Sequence, residues 1–392
     1  MSNQTLGKLA LVAAIMVVWA VVQSHWSNRS RVAPSGPAHL IQGLETSEIA
    51  SIEVGHGDEA TKIVRQEGRF VVTNKANYPA DTKQLNDLIT KCLDIKTTEL
   101  YTDNPKNHED LEVTEEKAKN VIKLFKADGS LLTGAIVGKS VEEGQGTYVR
   151  LADQDAVYLA ESTPWFRSGP LEYVDQEIVS VERADVNEVT VTTPNGPYTL
   201  RSTAEGDGVE MDGLPAGKTL KDSDAKSVLG ALNSLRFDDV NTPDALDDLN
   251  FDHLYVCLAD DSTQYRLRLA NKGEKTYAKL DAKFTDTTPV TMTKGQVESE
   301  EELKKKDEKL QAQEAAQRLT LRHRGWVYEI PDWKAKYLTM AQSDLLEDKE
   351  PAADEAEAAT PAASTEAQDE TTGSQPAAES APAAADPNAG GG

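Results

Sequence analysis

Two stretches of this chain, about 140 residues apart, carry nearly the same pattern in the same order. Tyr78-Pro79-Ala80 leads into an amphipathic run at 81–95, and Leu214-Pro215-Ala216 leads into another at 222–237. Val121-Ile122-Lys123-Leu124-Phe125-Lys126-Ala127-Asp128-Gly129-Ser130 is shadowed by His253-Leu254-Tyr255-Val256-Cys257-Leu258-Ala259-Asp260-Asp261-Ser262. Thr147-Tyr148-Val149-Arg150-Leu151 has its echo in Thr276-Tyr277-Ala278-Lys279-Leu280. A repeated order of this kind constrains the fold more than any single motif, because one α+β unit used twice satisfies it. Duplicated positions then read as framework, which removes most of them from the search for reacting groups.

Within each unit the periodicity is legible. Ile49, Ile52 and Val54 open the first unit and return as Val186, Val189 and Val191, with the two-residue alternation of a half-buried strand. A strand pair follows at Thr61–Val64 and Arg69–Thr73 around the Gln66-Glu67-Gly68 turn. Asp81 with Gln84 three residues on reads as a capping box, and Leu85, Leu88, Ile89, Cys92 and Leu93 form one helical stripe. In the second unit Ser223 or Asp224 is the expected cap, with Val228, Leu229, Leu232 and Leu235 as the stripe. Strands are expected at 119–126, 131–137, 146–151 and 157–160, with Trp165 after the last matched by Trp333 after Val327–Ile330. The fold class is α+β: two tandem repeats, 45–180 and 181–345, each a mostly antiparallel sheet with one covering helix. A charged insertion at about 295–321 interrupts the second. Its Glu301–Lys305 and Glu302–Lys306 spacings predict a helix, with Leu303, Leu310 and Leu319 as a thin seam. Such a helix is either a solvated excursion or an arm that docks on a partner.

The ends have a different character. Leu6–Val22 is apolar apart from Gly7 and Lys8, and seventeen helical residues span about 25 Å, or about 31 Å if continued to Trp26. Residues 1–26 therefore read as a transmembrane anchor with Trp19 and Trp26 at the interfaces, followed by a linker at 27–44. A cleaved signal peptide, cut before His25, is the rival reading. Lys8 on one side and Arg29 and Arg31 on the other leave orientation unset by charge. Residues 346–392 form an Ala/Pro-rich acidic tail whose composition predicts disorder. Without the eight acidic residues of 351–392, the net charge of −25 falls to −17. A body this acidic excludes non-specific nucleic-acid binding.

Several motifs invite chemistry and fail on inspection. Gly217-Lys218-Thr219 lacks the first glycine of a phosphate loop: Asp212 stands there, and Pro215 removes a donor N–H. Ser223-Asp224-Ala225-Lys226 matches Ser-x-x-Lys without the accompanying Ser-Asp-Asn and Lys-Thr-Gly elements. The acidic run from Asp238 to Asp252 has Pro243 and Asp244 where a calcium loop needs a ligand and a glycine. His25, His39, His56, His108, His253 and His323 share no zinc spacing, and Cys92 and Cys257 read as core residues. No catalytic, cofactor-binding or metal residue is assigned.

The apolar N-terminus, the Ile49/Ile52 strand, the Tyr78-Pro79-Ala80-Asp81 helix entry, the Gly146-Thr147-Tyr148-Val149-Arg150 strand and the Trp165…Leu171-Glu172-Tyr173-Val174-Asp175 ending together resemble a bacterial family of unknown function, of the DUF4340 type. Its members are found beside genes for gliding-motility-type ABC transporters, and the resemblance covers approximately 40–345. It implies a single-pass protein of the inner membrane with its bulk in the periplasm, acting without catalysis beside ABC transporter subunits. An envelope polysaccharide- or peptide-binding module is the alternative, and an unrecognised envelope hydrolase the second. Membrane lipid, through the N-terminal helix, and envelope proteins are the expected partners.

Overall fold

Alternation along β-strands sends neighbouring side chains to opposite faces, and in the middle of the first sheet, around Val121, Ile136 and Tyr148, both of those faces are buried. The computed structural model describes residues 38–349, apart from 143, 204–207 and 291–298. The anchor expected at 1–26, most of the linker and nearly all of the tail lie outside these residues. Among the described residues no helix is long and apolar enough to cross a membrane.

The first half runs β1 (Ala38–His39), β2 (Ser51–Val54), β3 (Thr61–Gln66), β4 (Arg69–Val72), β5 (Tyr78–Pro79), helix α1 (Thr82–Leu93), β6 (Lys96–Thr102), β7 (Asn120–Phe125), β8 (Leu131–Ser140), β9 (Thr147–Leu151) and β10 (Val157–Ala160). The second runs β11 (Glu177–Val179), β12 (Val186–Thr193), β13 (Gly196–Ser202), β14 (Val209–Met211), β15 (Lys218–Leu220), α2 (Asp222–Leu229), β16 (Leu235–Arg236), β17 (Asp239–Asn241), β18 (His253–Ala259), β19 (Thr263–Lys272), β20 (Lys275–Phe284), α3 (Glu300–His323), β21 (Val327–Ile330), α4 (Asp332–Leu338) and β22 (Leu346–Asp348). The architecture is mixed α+β, with antiparallel sheets and few helices.

The first sheet has the order β1-β6-β10-β9-β8-β7-β2-β3-β4-β5. The second, read from its opposite edge, is β17-β21-β20-β19-β18-β12-β13-β14. Matched in chain order, these are one arrangement: β6 corresponds to β17, β10 to β21, β9 to β20, and so on to β4 and β14. The helix preceding β6 corresponds to the helix preceding β17. Where β5 closes the first sheet, its counterpart β15 instead pairs with β22. Order in the chain thus extends through Asp348, past the 346 start of the expected tail.

Local chemistry accounts for most boundaries. Glu67 and Gly68 both take positive φ (49° and 83°), as a two-residue turn between β3 and β4 requires. Asp81 caps α1 by accepting from the Lys83 N–H at 2.8 Å. The expected return from Gln84 has no role, because the Asp81 N–H already donates to Tyr173 O. The second helix departs further from expectation. It starts after Lys221 rather than at Ser223 or Asp224, and ends at Gly230 instead of 237. Ala231, Leu232 and Leu235 continue into the core as turn and strand. Their freed carbonyls find a cap from elsewhere: the buried Lys334 Nζ donates to Ala231 O at 3.0 Å and Asn233 O at 2.6 Å.

The main core is one cluster running from Leu40 to Leu345 through both sheets, including Leu85, Leu88 and Cys92 of α1 and Val228 and Leu229 of α2. A smaller core lies on the other face of the first sheet. Val121, Ile136 and Tyr148 point into it, while their neighbours Ile122, Val137 and Val149 point into the main core. Leu111, Val113 and Ala118, from the segment between β6 and β7, cover that second face. His108 binds Asp155 O at 2.8 Å and His56 binds Ala118 O at 2.7 Å, so two histidines staple the cover down. Arg150 reinforces it by donating to Val113 O at 2.6 Å.

This close approach makes Gly138 a sensitive position. A Cβ there would lie 2.4 Å from Leu111 O and 2.6 Å from a Val113 methyl. Gly138→Ala should therefore cost about 1–3 kcal/mol, read as a lower urea midpoint at unchanged m. Cys92 and Cys257 are unpaired and buried, and burial raises both thiols to about 12. Neither should react with a thiol-specific alkylating agent in the native protein at pH 7.5, and both should react in urea.

Candidate functional site

Among the described residues, a buried cluster and an exposed groove each bring aromatic and polar side chains together. The buried one joins the two sheets. Tyr78 of β5 packs edge-on against Trp326 (centroids 4.9 Å apart), Phe237 (5.6 Å) and Tyr328 (6.3 Å). Tyr328 in turn hydrogen-bonds His323 Nδ1 at 2.7 Å. Around this cluster Arg322 pairs with Asp175 at 2.7 Å, and Lys75 with Asp239 at 2.8 Å. Burial, and then the neighbouring charge of Arg322, lower the His323 pKa to about 4. Burial raises both Tyr78 and Tyr328. Neutral groups packed this way hold elements together, and their titration is expelled from the working pH range.

The exposed place is a groove of about 260 Å³ between α1 and the loop after β10. Gln84, Asp87 and Lys91 supply one wall; Trp165, Arg167 and Glu172 supply the other. Phe166 and Tyr173 are buried beneath the loop, and the Ala80–Val174 bridge ties it to the sheet. Trp165, between them and solvent, remains 70% exposed. Its charged neighbours pair within each wall: Lys91 with Asp87 at 2.7 Å and Arg167 with Glu172 at 2.5 Å. Trp333 follows the corresponding strand of the second sheet and is 64% exposed. In the sequence Trp165 is readable as a marker after a strand. The groove itself comes from two segments about 80 residues apart, and no local signal links them.

The discounted motifs fall apart in space. Lys218 and Thr219 lie in β15, where Lys218 pairs with Asp348 at 2.7 Å. Ser223 is exposed on α2, while Lys226 binds Asp222 at 2.6 Å. Asp239 is in a strand, and Asp252 holds His253 at 2.6 Å. Among the described residues no cluster of three His, Cys, Asp or Glu is placed to hold a metal. His25 lies outside them.

The lowered His323 pKa fixes a pH dependence. The folded value lies below the unfolded one, so the unfolded chain binds the proton first, and stability falls as pH drops from about 6.5 towards 4. The full contribution is roughly 3 kcal/mol, of which about 2 kcal/mol is gone by pH 5. Urea midpoints at pH 7.5 and 5.0 should show a smaller drop for His323→Gln than for the native chain.

No curated protein and no solved structure gives a match to this chain. One family model does, over residues 71–254, a span that begins in β4, crosses the aromatic seam and ends in β18. That family is described as Domain of unknown function (DUF4340), and the chain carries a DUF4340-type domain.

Proposed function

We propose that this is a membrane-anchored, extracytoplasmic accessory protein, a non-catalytic auxiliary subunit of a gliding-type ABC transport system, built by duplication of one α+β unit. The common strand order of the two sheets supports the duplication. The DUF4340-type match supports the family setting, and the apolar run Leu6–Val22 supports a single-pass protein of the inner membrane whose bulk is periplasmic. Partner binding rests on one observation, the outer face of α3.

That helix starts from a capping box: Ser299 accepts from Glu302 N–H at 3.3 Å, and Glu302 accepts from Ser299 N–H at 3.0 Å. At the far end the helix is rooted in the fold. Ala316 and His323 are buried, Leu319 packs on the main core, and Thr320 exchanges hydrogen bonds with the Ala282 backbone. At about 100° per residue, Leu303, Leu310 and Leu321 fall within about 20° of one another, on the side opposite Ala316 and His323. They are 48%, 49% and 67% exposed. Leu319 leaves the expected seam by turning inward, and Leu321 takes its place outside. A leucine line about 27 Å long, held on a rigid helix and facing water, suits the apolar groove or helix of a partner.

The reading is tested with the full-length protein in mild detergent. Photo-crosslinkers at 303 and 310 should capture transporter subunits. The combined change Leu303→Glu, Leu310→Glu and Leu321→Glu should abolish their co-purification while leaving thermal unfolding within about 2 °C. Co-purification that survives the triple change would sink the proposal.

A further inference from the structure

The groove beside Trp165 has a composition that the scaffold reading does not use. We infer that it is a saccharide-binding site, for neutral pyranose glycans that lay the apolar face of one ring on the Trp165 indole. The inference stands independently of the transporter assignment and of the α3 surface.

Three features carry it. The first is the indole itself. A tryptophan 70% exposed to water forgoes most of the burial that makes the residue favourable inside a protein, yet it sits on a fixed base. Buried Phe166 follows it directly, Tyr173 is buried below with its hydroxyl bonded to Arg167 O, and the Asp81 N–H binds Tyr173 O at 2.8 Å. The backbone that carries the indole is therefore held in place, which lowers the ordering a ligand must impose.

The second feature is the flanking chemistry. Gln84, Asp87, Glu172 and Arg167 are planar amide, carboxylate and guanidinium groups. The Gln84 amide, and the oxygens and N–H groups of Asp87, Glu172 and Arg167 that lie beyond their ion pairs, can meet the donors and acceptors of a sugar's hydroxyls. A pyranose ring has this dual character, with C–H bonds on its faces for the indole and hydroxyls around its edge for the walls.

Charge is the third. The wall residues form two pairs, Asp87 with Lys91 and Arg167 with Glu172, so the groove presents no net charge although the chain carries −25. An anionic ligand would gain nothing here and would be repelled by the body, and a cationic one would find each carboxylate already paired. A peptide strand would need a run of unpaired backbone groups or a deep apolar pocket, and the groove is walled mainly by polar side chains. A neutral polyhydroxylated ligand fits what is present.

The test uses the full-length protein in detergent on an array of neutral oligosaccharides, with chitotetraose, cellotetraose and maltotetraose repeated by isothermal titration. Tetragalacturonate serves as the anionic control and a tetrapeptide library as the peptide control. At least one neutral glycan should bind. Trp165→Ala should weaken that binding at least tenfold, and Asp87→Asn with Gln84→Leu should weaken it severalfold. Trp333→Ala and the triple α3 leucine variant should leave it unchanged. Trp165 is exposed, so its replacement should leave thermal unfolding unaltered. An array without neutral hits, binding unaffected by Trp165→Ala, or Trp165-dependent binding confined to peptides or the anionic control would each overturn the assignment.

Discussion

The structure depends on the contact of Tyr78 with Phe237, Trp326 and Tyr328. This aromatic seam makes two sheets share one interior rather than stand as separate beads. Burial makes an unpaired polar group unfavourable, and the polar groups reaching the seam have partners within the protein, apart from the buried His323 Nε2. Tyr328 with His323, Arg322 with Asp175 and Lys75 with Asp239 are such pairs, and the last two join segments 147 and 164 residues apart. The join of the sheets and its titratable groups thus lie at one place. His323, Lys75, Tyr78 and Tyr328 are occupied in closing the join.

How much of this was legible in the sequence follows from the range over which each signal acts. The two-residue alternation of β2 and β12, the Glu67-Gly68 turn and the Leu85/Leu88/Cys92 stripe are local, and each marks an element where the structure has one. The end of α2 is not local. The run Val228, Leu229, Leu232, Leu235 continues at helical spacing, but the chain leaves the helix at Gly230 because Lys334, about a hundred residues on, satisfies the released carbonyls. The inward turn of Leu319 has the same cause, since the sheet edge it meets is not written in the helix. The cover over the second face of the first sheet was missed for a related reason: Leu111, Val113 and Ala118 are too irregularly spaced to read as an element. The groove was least legible, because its two walls belong to α1 and to the loop after β10, and only folding brings Gln84 near Trp165.

The two surfaces argued to bind partners use opposite physics. The α3 line is apolar and extended, and its association would gain chiefly from removing leucine from water. The Trp165 groove is small, polar and charge-balanced, so its recognition depends on matched hydrogen bonds around one aromatic face. Each is carried by buried residues of the same segment, Ala316 and His323 towards the end of α3 in one case and Phe166 and Tyr173 in the other. The framework thus confers rigidity without supplying the contact itself.

The segment clamped over β7, β8 and β9 has an evolutionary consequence. An ordinary sheet with a wet side lets every second residue drift, and its descendants retain a polar–apolar rhythm. Here neither side is wet, so consecutive positions are held to apolar identity together. Such a stretch loses the wobble by which distant relatives recognise a strand. It also resembles a buried parallel strand more than the antiparallel one it is.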